Sequence, residues 1–229
     1  GFMWNTTADL YNQFYFHNGK YNYSLADVST GLWWVGPRDI LKLPLGMAKQ
    51  EFGSDPLSTI YHVKPSWEHY FTPGFSVKAL YAYSNERFID VEYDDQDNVT
   101  NRFEITPNFY FLNRRHIVSI SGGYERSAAD ARRFTYTAPY GAVSYYTRFP
   151  TNTDLFLRYQ YSNRDYKAAP LLYSEDRVDR RHAFSIALSQ EFLKHFFTSL
   201  AFNYIDNHSN LELYAFRKQT YTLSFGFYF

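Results

Sequence analysis

The sequence predicts an all-β protein: a closed antiparallel transmembrane β-barrel of about twelve strands, of bacterial outer-membrane type. Three observations carry the prediction. Apolar and polar side chains alternate with a period of two through nearly the whole chain. Tight turns alternate with long charged connections. The chain closes on YTLSFGFYF, in which Tyr221, Leu223, Phe225, Phe227 and Phe229 share one parity and Thr222, Ser224, Gly226 and Tyr228 the other.

The alternation can be followed element by element, because successive side chains of a strand point to opposite faces. ILKLPLGM sets Leu41, Leu43, Leu45 and Met47 against Lys42 and Gly46. FSVKALYAYS sets Phe75, Val77, Tyr81 and Tyr83 against Ser76, Lys78, Leu80 and Ser84. FEITPNFYF, DLFLRYQYS, HAFSIALSQEF and TSLAFNY repeat the pattern around Phe109, Leu157, Ile186 and Phe202. Strand centres are expected near Leu10, Thr30, Leu45, Lys64, Ala79, Phe109, Ile120, Val143, Leu157, Ile186, Ala201 and Phe225. Most have room for the roughly 9–11 residues that cross a bilayer as a tilted strand.

The connections sort by position. After even-numbered strands they are tight: VGPRD, TPG, NRR, PTN and KH. After odd-numbered strands several are long and charged: residues 85–102, 125–133 and 162–180. Short turns at one end and long loops at the other is the layout of an outer-membrane barrel, with the short turns on the periplasmic side. Such a barrel must close, since an open edge in lipid leaves backbone groups unpaired. Strand spacing alone also admits an aromatic-rich soluble sandwich or a lipocalin-like barrel. The enrichment of Tyr and Phe near strand ends, with Ser, Thr, Gly, Ala and Asn on the opposite parity, favours a lipid-facing girdle and a polar lumen.

Composition excludes several classes. The 229 residues are 45% hydrophobic and 21% aromatic, with 23 Tyr and 22 Phe. No stretch approaches the roughly 20 apolar residues of a membrane helix. Lysine and arginine together number 23, as do the acids, so the basic face a nucleic-acid binder needs is not expected. Cysteine is absent, which removes disulfides, thiolate catalysis and Cys-bound zinc. The chain reads as one barrel domain over 1–229. It starts almost inside a strand, so a preceding periplasmic domain is left open.

RVDRRHAFSIALSQEF followed by LAFNYIDNHSNLELYAFRKQTYTLSFGFYF resembles a known group of strands. The matching features are Arg177 and Asp179 before a strand, then Tyr204, Ser209-Asn210, Tyr214, Arg217 and a terminal Phe. YSNERF (83–88) and YSNRDY (161–166) echo one strand exit. These features are similar to the C-terminal barrels that follow periplasmic tetratricopeptide repeats, including surface lipoprotein assembly modifiers and related porin-like families. The resemblance is best over about the last fifty residues, a length that generic barrel patterning also shapes. It implies an outer-membrane location and a secretion partner. The aromatic tail also resembles the signal read by the barrel-insertion machinery, with Tyr221, Leu223, Phe225, Phe227 and Phe229 as its residues.

Candidate chemistry is sparse. Lys42, Lys64, Glu68, Lys78, Glu104, Arg158 and Glu191 fall on the polar parity. They are expected in the lumen, where they set ion selectivity or pair to rigidify the wall. Lys64, Glu68, Lys78 and Glu104 are expected to cluster on neighbouring strands. In DNHSN, His208 and Ser209 could serve a lipid hydrolase, but adjacent residues of a strand point to opposite faces. Asp94, Asp95 and Asp97 are the candidates for a cation in an acidic loop that lacks a full calcium-loop pattern. No metal site and no cofactor are expected. The function these readings favour is a pore or export conduit, working by lumen width and lining charge and surrounded by outer-membrane lipid. The alternatives are an outer-membrane phospholipase-like hydrolase and a closed anchor that displays its loops.

Overall fold

The computed structural model describes residues 1–13, 22–53, 55–192 and 196–227. Thirteen strands form one antiparallel sheet. They are β1 (Phe2–Gln13), β2 (Tyr23–Val35), β3 (Asp39–Phe52), β4 (Asp55–Val63), β5 (Ser66–Thr72), β6 (Phe75–Phe88) and β7 (Asn98–Phe111). β8 (His116–Ala129), β9 (Tyr136–Arg148), β10 (Thr153–Tyr166), β11 (Val178–Phe192), β12 (Phe196–Ser209) and β13 (Phe216–Phe227) complete it. The path is an up-and-down meander in which each strand pairs with its neighbours in sequence, save at one position.

That position explains why twelve expected strands become thirteen. β4 and β5 both lie between β3 and β6 and keep one register. Leu45 faces Val63 and Lys42 faces Ser66, while Tyr83 faces Val63 and Leu80 faces Ser66. They are one wall position interrupted at Lys64-Pro65. Proline has no N–H to give to the ladder, so pairing lapses there. Lys64 N–H still donates to the Pro44 carbonyl at 3.0 Å, and Tyr81 N–H to the Pro65 carbonyl at 3.0 Å.

Curvature is read from side chains that meet over an intervening strand. His62 Nε2 lies 3.0 Å from Asp27 Oδ2 across β3. The Tyr110 hydroxyl donates to Glu68 at 2.9 Å across β6. Arg164 lies 3.6 Å from Glu125 across β9. Strands two apart converge only on the inner side of a bent sheet, and the register places all these residues on one parity. The polar parity is therefore concave. Ser58 and Ser76 on it are at 0% exposure, while outward Leu200, Leu223 and Phe225 are 54%, 62% and 74% exposed. The hydrophobic pattern is inverted relative to a water-soluble core. Phe184, Ile186, Leu188, Leu200, Phe202, Leu223 and Phe225 share the convex parity, and Ser185, Ala187, Ser189, Ala201, Thr222 and Ser224 the concave one.

The two ends differ as expected, although the strands run further than the sequence suggests. β6 continues to Phe88 and β7 begins at Asn98, so the connection between them shrinks to 89–97. β10 reaches Tyr166, leaving 167–177 as the next. Strands of 14 residues exceed the roughly 9–11 that span the bilayer. The excess carries polar residues on both faces, with Asn101 and Asp165 on the convex parity and Thr100 and Arg164 on the concave one, and this is why those stretches look like loops. The long connections interlock at that end. Asp130 and Ala131 N–H groups donate to the Asp97 and Asp95 carbonyls at 3.0 and 2.8 Å, and the Arg133 guanidinium pairs with Asp95. The turns at 73–74, 112–115 and 149–152 lie at the opposite end.

Candidate functional site

The concave face is the candidate site, and it is built in rows. Each row is one residue per strand at matching register. One row runs Glu104, Gly123, Tyr140, Ser162, Arg181, Asn207 from β7 to β12. Gly123 is where the sheet needs its smallest residue, because a Cβ there would strike the Tyr140 hydroxyl and come within 2.5 Å of the Phe103 carbonyl. The opening lets Tyr140 lean across β8. Its hydroxyl donates to Glu104 Oε2 at 3.0 Å and accepts from Arg102 Nε at 2.7 Å. Arg102 Nη2 also donates to Glu104 at 2.7 Å, and Thr106 closes the group at 3.1 Å.

Nearer the tight turns, Glu68 accepts from Ser76 at 2.6 Å, Tyr110 at 2.9 Å and Asn108 at 3.3 Å. Nearer the long connections, Glu125 accepts from the Tyr136 hydroxyl at 2.7 Å. Asp179 is 3% exposed, and both of its oxygens lie 3.0 Å from Arg177 Nε. Buried carboxylates held this way are stabilised, since an unpaired buried charge is costly.

The expected quartet of Lys64, Glu68, Lys78 and Glu104 does not gather as one ion-pair cluster. Glu104 takes its cation from Arg102, two residues along the same strand and on the same face. Glu68 is satisfied by hydroxyl and amide donors. Lys42 sits 4.0 Å over the Trp33 ring. Glu191 lies 3.3 Å from Arg148, and Arg158 donates to Gln160 at 3.1 Å. Arg102, Glu125, Tyr140, Arg164 and Arg181 escaped the sequence reading. Arg102 and Arg164 sit in stretches whose polarity on both parities reads as loop.

His208 and Ser209 end β12 on opposite faces, facing Arg180 and Asp179 across the ladder. His208 lies 3.4 Å from Asp206, while Ser209 Oγ accepts from the Leu211 N–H at 3.2 Å. This is not the contact between base and nucleophile that acyl transfer needs. Of the acidic loop, Asp95 pairs with Arg133, and Asp97 with Arg87 at 2.9 Å. Among the described residues no three His, Cys, Asp or Glu side chains group as a metal site. Tyr221, Leu223 and Phe225 stand on the convex face, Phe227 ends β13, and Phe229 lies outside the described residues.

A sheet with a greasy convex face and a polar concave one, ended by an aromatic strand, is matched over residues 1–229 by the family model for the surface lipoprotein assembly modifier. The chain belongs to that family. As a surface lipoprotein assembly modifier it is a protein of the bacterial outer membrane, and its apolar convex face suits that setting. Among solved structures it is similar to one titled bacterial polysaccharide outer membrane secretin. The TM-score is 0.50 at 8% identity, over 98% of this chain and 84% of that one. At that identity the likeness speaks for the fold alone. No curated protein matches the chain.

Proposed function

We propose that this assembly modifier closes between β1 and β13 into an outer-membrane barrel whose lumen is an export conduit, with surface lipoproteins as its cargo. The carrying observation is the continuous concave lining of Ser, Thr, Gly, Ala and Asn, interrupted by charged groups held in place by neighbours. Closure removes the two free edges that lipid would leave unpaired. Small polar side chains keep a lumen wide and wet, and fixed charges tune what passes. Lys42, Lys64, Glu68, Lys78, Glu104, Arg158 and Glu191 would supply part of that charge. The cargo reading rests on the family's description. The partners would be surface lipoproteins, the insertion machinery reading the tail that ends at Phe229, and a periplasmic domain or secretion partner.

Recording from the purified protein in planar bilayers tests the conduit. Stable conductance steps are the expected result. A sealed bilayer at every voltage would reject an open lumen. It would favour the anchor, a reading supported by the networks of Arg102, Glu104 and Tyr140 and of Glu68 and Tyr110, which reach across neighbouring strands. Surface display of a lipoprotein in cells with and without the protein tests the cargo separately.

A further inference from the structure

Most arginines of the concave wall have a carboxylate partner, and Arg181 has none. Arg102 pairs with Glu104 on one face of β7, and Arg177, just before β11, pairs with Asp179. Arg158 has Gln160 at the same spacing and makes a neutral bond. Arg181 has Ala183 there. The nearby carboxylates are already engaged: Glu104 by Arg102, Asp179 by Arg177, Glu125 by Tyr136 and Arg164. Among the described residues no carboxylate lies within ion-pair distance of Arg181.

Arg181 nevertheless faces a hollow. Ser162 lies directly opposite it on β10, with Tyr140 beyond on β9. Arg164 is its diagonal neighbour, two residues along from Ser162. Ala138 and Ala183 keep the floor low, and the hollow measures about 240 Å³. Water occupies about 30 Å³ per molecule in the liquid. The space therefore exceeds what one small hydrated anion needs. Three guanidiniums line it with the Glu125 carboxylate; Arg102 is taken by Glu104 and Arg164 lies 3.6 Å from Glu125, so the free charge is that of Arg181. Arg181 and Arg164 beside the Ser162 hydroxyl and the Gln160 amide match a tetrahedral oxyanion, because arginine's planar fork suits such ligands.

We propose that this hollow binds a phosphate group, held by Arg181 and Arg164 with Ser162 as a further donor. The site does not depend on the conduit reading. It would exist equally in a closed anchor. The phosphate could be free or carried by a glycerophosphate headgroup.

Titration calorimetry of the folded protein in detergent, with inorganic phosphate against a chloride control, tests this. Saturable phosphate binding is expected in the parent. Arg181→Ala should weaken it at least about tenfold, the scale of one lost charge-assisted hydrogen bond. Ala183→Glu keeps the arginine but supplies its missing partner, and should weaken binding as much. Lys49→Ala, on the convex parity of β3 and outside the lining of the hollow, should leave it unchanged. Tighter binding of glycerol 3-phosphate would assign the site to a headgroup, and equal or weaker binding to free phosphate. Absence of saturable binding in the parent, or parent-like binding by both Arg181→Ala and Ala183→Glu, overturns the site. Should Arg181→Ala not fold, the Ala183→Glu result decides.

Discussion

Arg102 and Tyr140 are joined by a hydrogen bond of 2.7 Å although the whole of β8 lies between their strands. The guanidinium also stacks on the ring at 4.4 Å. The contact exists because residue 123 of β8 has no side chain. It makes Gly123 a structural requirement of the polar wall.

Gly123→Val should therefore destabilise the protein by about 2 kcal/mol or more, the range of overpacking a tight site. The neighbouring Gly122 has nothing within 4 Å of its missing Cβ, and Gly122→Ala should be near neutral. Thermal unfolding in detergent, followed by heat-modifiable gel mobility, checks both. Equal effects would remove the steric argument.

The convex face meets lipid, so position decides the cost of a charge. Leu188→Arg should lose about 2–4 kcal/mol of folding free energy in vesicles if it lies near the midplane. Ser185→Arg points inward and should cost much less. Folding titrations in urea on lipid vesicles give the two numbers, and the reverse order would mean that the faces are swapped.

Sidedness is equally direct. A cysteine placed at Leu172 should react with a membrane-impermeant maleimide on intact cells, and one at Gly74 should react only after the outer membrane is permeabilised. Labelling of both on intact cells would contradict the two-ended loop arrangement.

For the conduit, Lys64→Glu should move the reversal potential of bilayer currents toward cation selectivity, because Lys64 lies on the concave parity and exposed. Glu104→Ala should do more, since it also releases Arg102 from its carboxylate. Unchanged selectivity in both variants would show that these residues do not form the filter.

Much of this molecule could be read from the chain because a strand's parity is local. Knowing that Leu188 is greasy and Ser189 is not suffices to assign their faces. Which end each turn occupies follows from counting strands. What could not be read is the partner of each charge. Glu104 looked available to Lys64 and Lys78 on the same parity, but Arg102 lay in a stretch read as loop. Contact between Arg102 and Tyr140 further requires knowing that β7 and β9 bend toward each other over Gly123. The break at Lys64-Pro65 is visible as a proline, yet whether it ends a strand or interrupts one depends on the registers of β3 and β6.

The pairing of Arg102 with Glu104 within β7 has a bearing on biogenesis. Charges that compensate each other along one strand need no neighbouring strand to do so. A hairpin entering the bilayer can carry such a couple already neutralised, before the sheet around it is complete. The penalty for bringing an arginine into a low-dielectric setting is then met strand by strand and not at the final closure. The order in which the strands join is in this way freed from the need to match charge across the wall.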